Sequence, residues 1–370
     1  MKVICDRAAL VDAVTLVGSV VVGRTPSPVL KCIHLKTEQG VLTLAATDLE
    51  VAIRLGIDAV DIESEGEVVV PADKLTQIVR ACDDPTLTIE KDDHAVHIRG
   101  ENSHFKVFGF DPREFPAVNG FGDASVTCTI TGAGLATLIS RTLFAAASEH
   151  SRYAINGVLF DRHGGKLRLV ATDGRRLAMA NGKCDGPEGD SSCIVPIKAL
   201  SLVSKLLPHD ETVVRIAITD NQIMVAVGEG ETAPVLTSNL VEGAFPPFED
   251  VIPKDQDKKG LFDAHALSSA VRRAALLTNE ESRGVRMSFK DSTLTLTSRA
   301  PEMGEAEIQL AALDYTGDPL DIGFNPQYVT DALKVLDNDQ VLIELKAPSK
   351  PGVLRIGTDF MYVLMPVNLQ

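Results

Sequence analysis

Tryptophan is absent from this 370-residue chain, and tyrosine occurs only four times. Proteins that stack successive unpaired bases need aromatic platforms, which argues against that mode of nucleic-acid binding. Cysteine is scarce as well. Cys5, Cys32, Cys82, Cys128, Cys184 and Cys193 are scattered with no C-x-x-C pair, and no histidine near Cys184 and Cys193 would complete a zinc site. They read as reduced, mostly buried thiols of a cytoplasmic protein. No run of about eighteen apolar residues exists to cross a membrane. The opening "MKVICDRAALVDAV" meets Asp6 and Arg7 early, unlike a secretory signal. Glycine-rich dinucleotide and phosphate loops, H-E-x-x-H and the G-x-S-x-G elbow are all missing, and the histidines are dispersed. The chain is therefore expected not to be an enzyme and to need no metal or cofactor.

What is present is repetition. "LTLAATDLEVAIR" (Leu42 to Arg54) and "LRLVATDGRRLAMA" (Leu167 to Ala180) carry Thr47-Asp48 and Thr172-Asp173, 125 residues apart (47 to 172). Pro71 of "VVPADKLTQIVRAC" and Pro196 of "IVPIKALSLVSKLL" share that offset, as do "ALVDAV" from Ala9 and "GLATLI" from Gly134. A fainter third copy runs through "ALSSAVRRAALL", "LTLTSRAPEMGEAEIQL" and "FNPQYVTDALKVL". Fixed-period self-similarity signals a repeat architecture. The boundary stretches "REFPAV" and "GAFPPFEDVIP" divide the chain into three domains, 1–122, 123–253 and 254–370.

Each copy reads as helix, strands, helix, strands. "RAALVDAVTLVGSVV" and its counterparts have apolar residues at helical spacing. The second helices are expected to start at their prolines, which suit a first helical position. "GVLTLAA", "VHIRG", "FKVFGF" and "GVLRIG" alternate as half-buried strands do. The fold class is α+β, two helices packed on antiparallel sheet in each of three domains. Asp-Gly between alternating apolar runs predicts a hairpin at "LVATDGRRLAMA". Because Asp48 and Asp173 recur with the repeat, they read as turn residues.

Net charge is −15, which excludes a broad grip on phosphates. The carboxylates concentrate in strands and loops such as "DIESEGE" and "DGPEGD". The helices are neutral to basic, carrying Lys74, Arg80, Arg141, Lys198, Lys205, Arg272 and Arg273. Such a body repels a polyanion outside and tolerates one on a single face.

The threefold α+β repeat, these helices and the hairpin "VATDGRRLA" after "SRYAINGVLF" resemble one family over the whole chain: the bacterial sliding clamp, the beta subunit of the replicative DNA polymerase. The resemblance implies a head-to-tail homodimer closed into a ring of six domains, with sheets outside and helices lining a hole for duplex DNA. It implies no chemistry, but tethering of the polymerase catalytic subunit and other clamp-binding proteins, with a clamp loader to open the ring.

By matching positions, the family's partner-peptide pocket would comprise Ile155, Thr172, Gly174, Arg175, Arg176, Leu177, Pro246, Val251, Tyr328, Val363, Met365 and Asn368. Arg175 and Arg176 would orient the peptide from the rim. The family more often has His at 175 and a basic residue at 368. DNA-facing positions would be Arg24, Arg152, Tyr153, Lys198, Lys205 and Arg283. At the subunit interface, Phe105 and Val107 would meet Leu276 and Leu277 of the other protomer, with Lys74 at the rim. The alternatives are a repetitive hydrolase or transferase with Asp48 or Asp173 as base, and a ring-forming scaffold that never meets DNA.

Overall fold

The structure, a computed structural model, describes all residues except 24, 94, 123, 148–154, 279–283, 337–339 and 369–370. Six α-helices lie among the described residues: α1 (Arg7–Gly18), α2 (Ala72–Ala81), α3 (Gly132–Leu143), α4 (Ile197–Leu206), α5 (Ala264–Ala274) and α6 (Pro326–Lys334). The first helix of each repeat begins in the same way. Asp6 accepts from the Ala9 amide at 2.8 Å, Thr131 from Gly134 at 3.1 Å and Asp263 from Ala266 at 2.7 Å. Each side chain satisfies one of the amides that a helix start leaves without a partner.

The buried faces repeat in register as well. Leu10, Ala13, Val14 and Val17 of α1 match Leu135, Leu138, Ile139 and Thr142 of α3, and Leu267, Ala270, Val271 and Ala274 of α5. This i, i+3, i+4, i+7 spacing makes one apolar stripe. Thr142 is the polar exception, and its hydroxyl donates to the Leu138 carbonyl at 2.8 Å. Leu267 is fully buried, so its truncation to alanine would cost about 2–5 kcal/mol.

The prolines of the second helices depart from expectation. Pro326 occupies the first turn of α6, but Pro71 precedes α2 and closes a strand opposite Cys32, as Pro196 does opposite Gly157. At the end of a strand the ring removes no helix hydrogen bond and still presets φ for the entry.

The chain forms two compact units. The first (1–136, 184–188 and 198–240) holds an antiparallel sheet of eight strands and one of five. The larger runs Cys128–Thr131, Val213–Ile218, Gln222–Val227, Val235–Asn239, Val51–Ile57, Val41–Thr47, Cys32–Glu38, Gly66–Pro71. The smaller ends on His104–Phe108. The second unit (137–183, 189–197 and 241–370) holds sheets of nine and four strands.

In each unit, strands of different repeats pair directly. Leu236 of repeat two faces Ile53 of repeat one, and Leu177 of repeat two faces Val363 of repeat three. Pairing of this kind leaves fewer open edges. All six cysteines are buried and none is in a disulfide, and burial pushes the Cys5 thiol up to about 12. Among the described residues no helix is long and apolar enough to cross a membrane, and no His/Cys/Asp/Glu group is placed to hold a metal.

Candidate functional site

The second unit is built around the hairpin of strands Lys166–Thr172 and Arg176–Lys183. Its turn is held by two side chains. Thr172 Oγ1 donates to the Arg176 carbonyl at 2.7 Å and accepts from the Gly174 amide at 3.1 Å. Asp173 Oδ1 accepts from the Arg175 and Arg176 amides at 2.9 and 3.1 Å. Gly174, with φ +84°, sits at the first central position of the turn, where a side chain would be strained. The turn of repeat one is the same, bond for bond. Thr47 contacts the Val51 carbonyl and the Leu49 amide, and Asp48 Oδ1 accepts from Glu50 and Val51. There Leu49 takes the positive φ, +77°, and is 62% exposed. Both aspartates are occupied in closing turns, which leaves neither poised as a base.

Next to the turn, Leu177 and Val363 face each other across the strand pair, both 3% exposed. With Leu159, Val170, Met179, Val353 and Met361 they make one apolar cluster. Phe245, Phe248 and Ile252 of the connecting segment pack on it, the two rings edge to face at 6.2 Å. Beyond Leu364, the Met365 amide donates to the Arg175 carbonyl at 3.0 Å, which continues the ladder by one residue. The Met365 side chain is left 44% exposed. A further bond, from the Val367 amide to the Gly323 carbonyl at 2.9 Å, anchors the tail.

Arg176 corrects a sequence expectation. Its guanidinium is turned inward rather than to the rim. It donates to Asp173 at 3.0 Å, Asp331 at 2.9 Å and the Phe144 carbonyl at 2.7 Å, and lies 4.4 Å from the Tyr328 ring centre. Burial opposes its charge, but Asp331, Tyr362 and Asp173 outweigh burial and hold its pKa above the ordinary value. The Tyr362 hydroxyl, raised by burial against the pull of Arg176, donates to the Tyr328 carbonyl at 3.1 Å. Of the two arginines at the turn, only Arg175 is exposed.

The structure thus joins Thr172, Gly174, Arg175, Arg176, Leu177, Tyr328, Val363 and Met365. Ile155 is buried, and its carbonyl accepts from the Ala147 amide at 3.0 Å. Pro246 is half-buried, Val251 is 52% exposed and Asn368 is exposed. Sequence reading missed the packing residues Phe245, Phe248 and Ile252, although "AFPPFEDVI" carried an aromatic signal. It also missed Asp331, whose role depends on Arg176 of another repeat.

Of the expected DNA-facing positions, Arg24, Arg152, Tyr153 and Arg283 lie outside the described residues. Lys205 is exposed at the end of α4. Lys198 is a second correction: its ammonium pairs with the nearly buried carboxylate of Asp48, so its charge faces the protein. Lys74 is exposed beside Asp73. Phe105 and Val107 are half-buried on the edge strand His104–Phe108, where Phe108 is 72% exposed. Leu276 is 73% exposed on the turn after α5, and Leu277 is half-buried.

Residues 1–119, 129–247 and 249–368 match, in turn, the N-terminal, central and C-terminal domain families of the DNA polymerase III beta subunit. The chain is 34% identical over 368 residues to a beta sliding clamp of Pseudomonas putida, covering 98% of this chain and 99% of that one. A solved sliding clamp from Pseudomonas aeruginosa, bound to griselimycin, is 34% identical with TM-score 0.93 over the whole of both chains. A clamp from Bacillus subtilis is 27% identical with TM-score 0.94, again over both chains in full.

Proposed function

The chain belongs to the bacterial beta sliding clamp family, and from that membership we propose how its own residues do the work of a DNA polymerase processivity factor. It encircles duplex DNA and tethers the replicative polymerase through a short peptide. The observation that carries the peptide reading is the junction of Leu177, Val363 and Met365. Apolar side chains from two repeats meet there beside a rigid turn, and the Met365 side chain stands open to solvent. Peptide grooves pair such an apolar floor with a few orienting polar groups. Arg175 supplies one of these directly, and Arg176 acts by holding the turn against α6. Ile155, Thr172, Gly174, Pro246, Val251, Tyr328 and Asn368 complete the wall.

Two further contacts belong to this reading. A second protomer covers Phe105, Val107 and Lys74 with its own Leu276 and Leu277, closing a homodimeric ring of domains 1–122, 123–253 and 254–370. The open edge of His104–Phe108 and the exposure of Leu276 support it, since an unpaired strand edge beside apolar groups invites association. DNA passes by Arg24, Arg152, Tyr153, Lys205 and Arg283. Lys198 contributes less than its charge implies, because Asp48 holds it. A net charge of −15 suits a ring that must not grip. On this reading the protein acts without catalysis, in the cytoplasm, after a clamp loader has opened it.

Retention on DNA tests this. Loaded protein should remain on closed circular DNA after the salt is raised, and leave when the circle is cut. Equal retention on open linear DNA would mean gripping rather than encirclement.

A further inference from the structure

We propose that a cleft of about 810 Å³ in the first unit is a second binding groove, one that takes an acidic, extended peptide segment. It goes beyond the clamp function and does not depend on it. Across the eight-stranded sheet, Val69, His34, Ala45, Arg54, Val235, Ala226 and Arg215 stand directly opposite one another in a row, on one face. The corresponding row of the second unit is Ile194, Leu159, Val170, Met179, Met361, Arg355 and Leu342. The first four members of the two rows are related by the 125-residue repeat (69 to 194, 54 to 179).

Both rows are crossed by a connecting segment with a Phe-Pro pair, Phe115-Pro116 in one and Phe245-Pro246 in the other. In the second unit the row begins as the apolar floor described above. In the first, His34 replaces Leu159, Arg54 replaces Met179 and Arg215 stands where Leu342 does. One scaffold therefore presents two grooves of different chemistry.

Arg54 and Arg215 both line the cleft, and among the described residues neither makes an ion pair. Arg215 lies 4.7 Å from the Phe121 ring centre, and its buried Nε has no hydrogen-bond partner. Gly120 makes room for Arg54, since a Cβ there would come within 2.6 Å of the guanidinium. The other charges in the cleft are engaged or peripheral. Glu38 pairs with Lys36 at 2.6 Å, Glu67, on the edge strand three strands from Arg54, lies 3.0 Å from His34, and Glu231 is exposed at the rim. Burial lowers the His34 pKa against the pull of Glu67, so His34 adds little charge at neutral pH.

Two half-buried guanidiniums without an ion-pair partner in one cleft select carboxylates, which they can bind bidentately. Three strand steps of about 4.8 Å set the two Cα atoms roughly 14 Å apart, with Phe121 packed on Val235 and Ala226 between them. An extended chain rises about 3.3 Å per residue, so a segment that passes over that ring reaches both with carboxylates four residues apart.

The probe is a capped pentapeptide with aspartate at its first and fifth positions and alanine between, titrated calorimetrically into the full-length protein. Binding that weakens at least tenfold in Arg54→Met, and again in Arg215→Gln, with unchanged melting temperature, is expected. The asparagine version of the peptide should not bind. The proposal is overturned if the wild type fails to bind the acidic peptide, or if the asparagine version binds equally. It is also overturned if inorganic phosphate binds as tightly as the peptide, if both variants keep full affinity, or if Met365→Ala abolishes binding, which would place the peptide in the other groove.

Discussion

Arg176 Nη1 lies 2.9 Å from Asp331 Oδ2, joining residues 155 positions apart in sequence. Their side chains are only 11% and 20% exposed, so the pair is shielded from water and from salt. Breaking one partner of a buried pair strips the other of its nearest opposite charge, leaving Asp331 to Gln327 and Lys334, or Arg176 to Asp173, and costs more than removing both.

Arg176→Ala should therefore destabilise the protein by about 3 kcal/mol in a urea melt. Arg176→Ala combined with Asp331→Ala should lose less than the two single changes added together. Additive losses would show that the contact couples nothing.

Leu49→Gly should stabilise by about 1 kcal/mol, because it relieves a positive φ at an exposed side chain and forfeits little burial. The reverse test is Gly174→Leu, where the same turn should become less stable by a similar amount. A thermal melt of each variant decides it, and a drop for Leu49→Gly would mean that the entropy glycine adds to the unfolded chain outweighs the relieved strain.

Replacing Leu276 and Leu277 together by glutamate should yield folded monomers. Unpaired charge in a dry interface costs several kcal/mol, whereas the 73% exposed Leu276 contributes little to the fold of one chain. Sedimentation at micromolar concentration reads the result directly, and a persistent dimer would move the interface elsewhere.

Met365→Ala with deletion of the last three residues should abolish binding of peptides from the polymerase catalytic subunit and shift the melting temperature little. The cut falls after Val367, so the bond from its amide to Gly323 survives. Calorimetry with wild-type-like affinity would separate Met365 from the pocket while leaving the ring untouched.

Much of this architecture could be read from the sequence because it is local. The spacing of Leu10, Ala13, Val14 and Val17 declares a buried helix face, and Thr-Asp at 47–48 and 172–173 declares a turn. What escaped reading depends on distant chain. Charge beside a turn suggested that Arg176 faces solvent, yet its inward direction is set by Asp331 and Tyr328 of another repeat. Lys198 looked available to phosphate for the same reason, since Asp48 lies 150 residues before it. Pro71 was misplaced by one position because strand end and helix start abut there, and both tolerate proline.

The pairing of Val51–Ile57 with Val235–Asn239 carries a consequence for how the chain is made. When the ribosome has finished the first of these strands, its neighbour is still roughly 180 residues from being synthesised. At about 5–20 residues per second the wait is on the order of 10–40 s. Throughout that interval the nascent chain exposes an unpaired, apolar strand flank. The first repeat therefore cannot mature as a self-contained unit during translation, and a message truncated before codon 235 would release a product with a permanently open edge, suited to aggregation and to capture by chaperones.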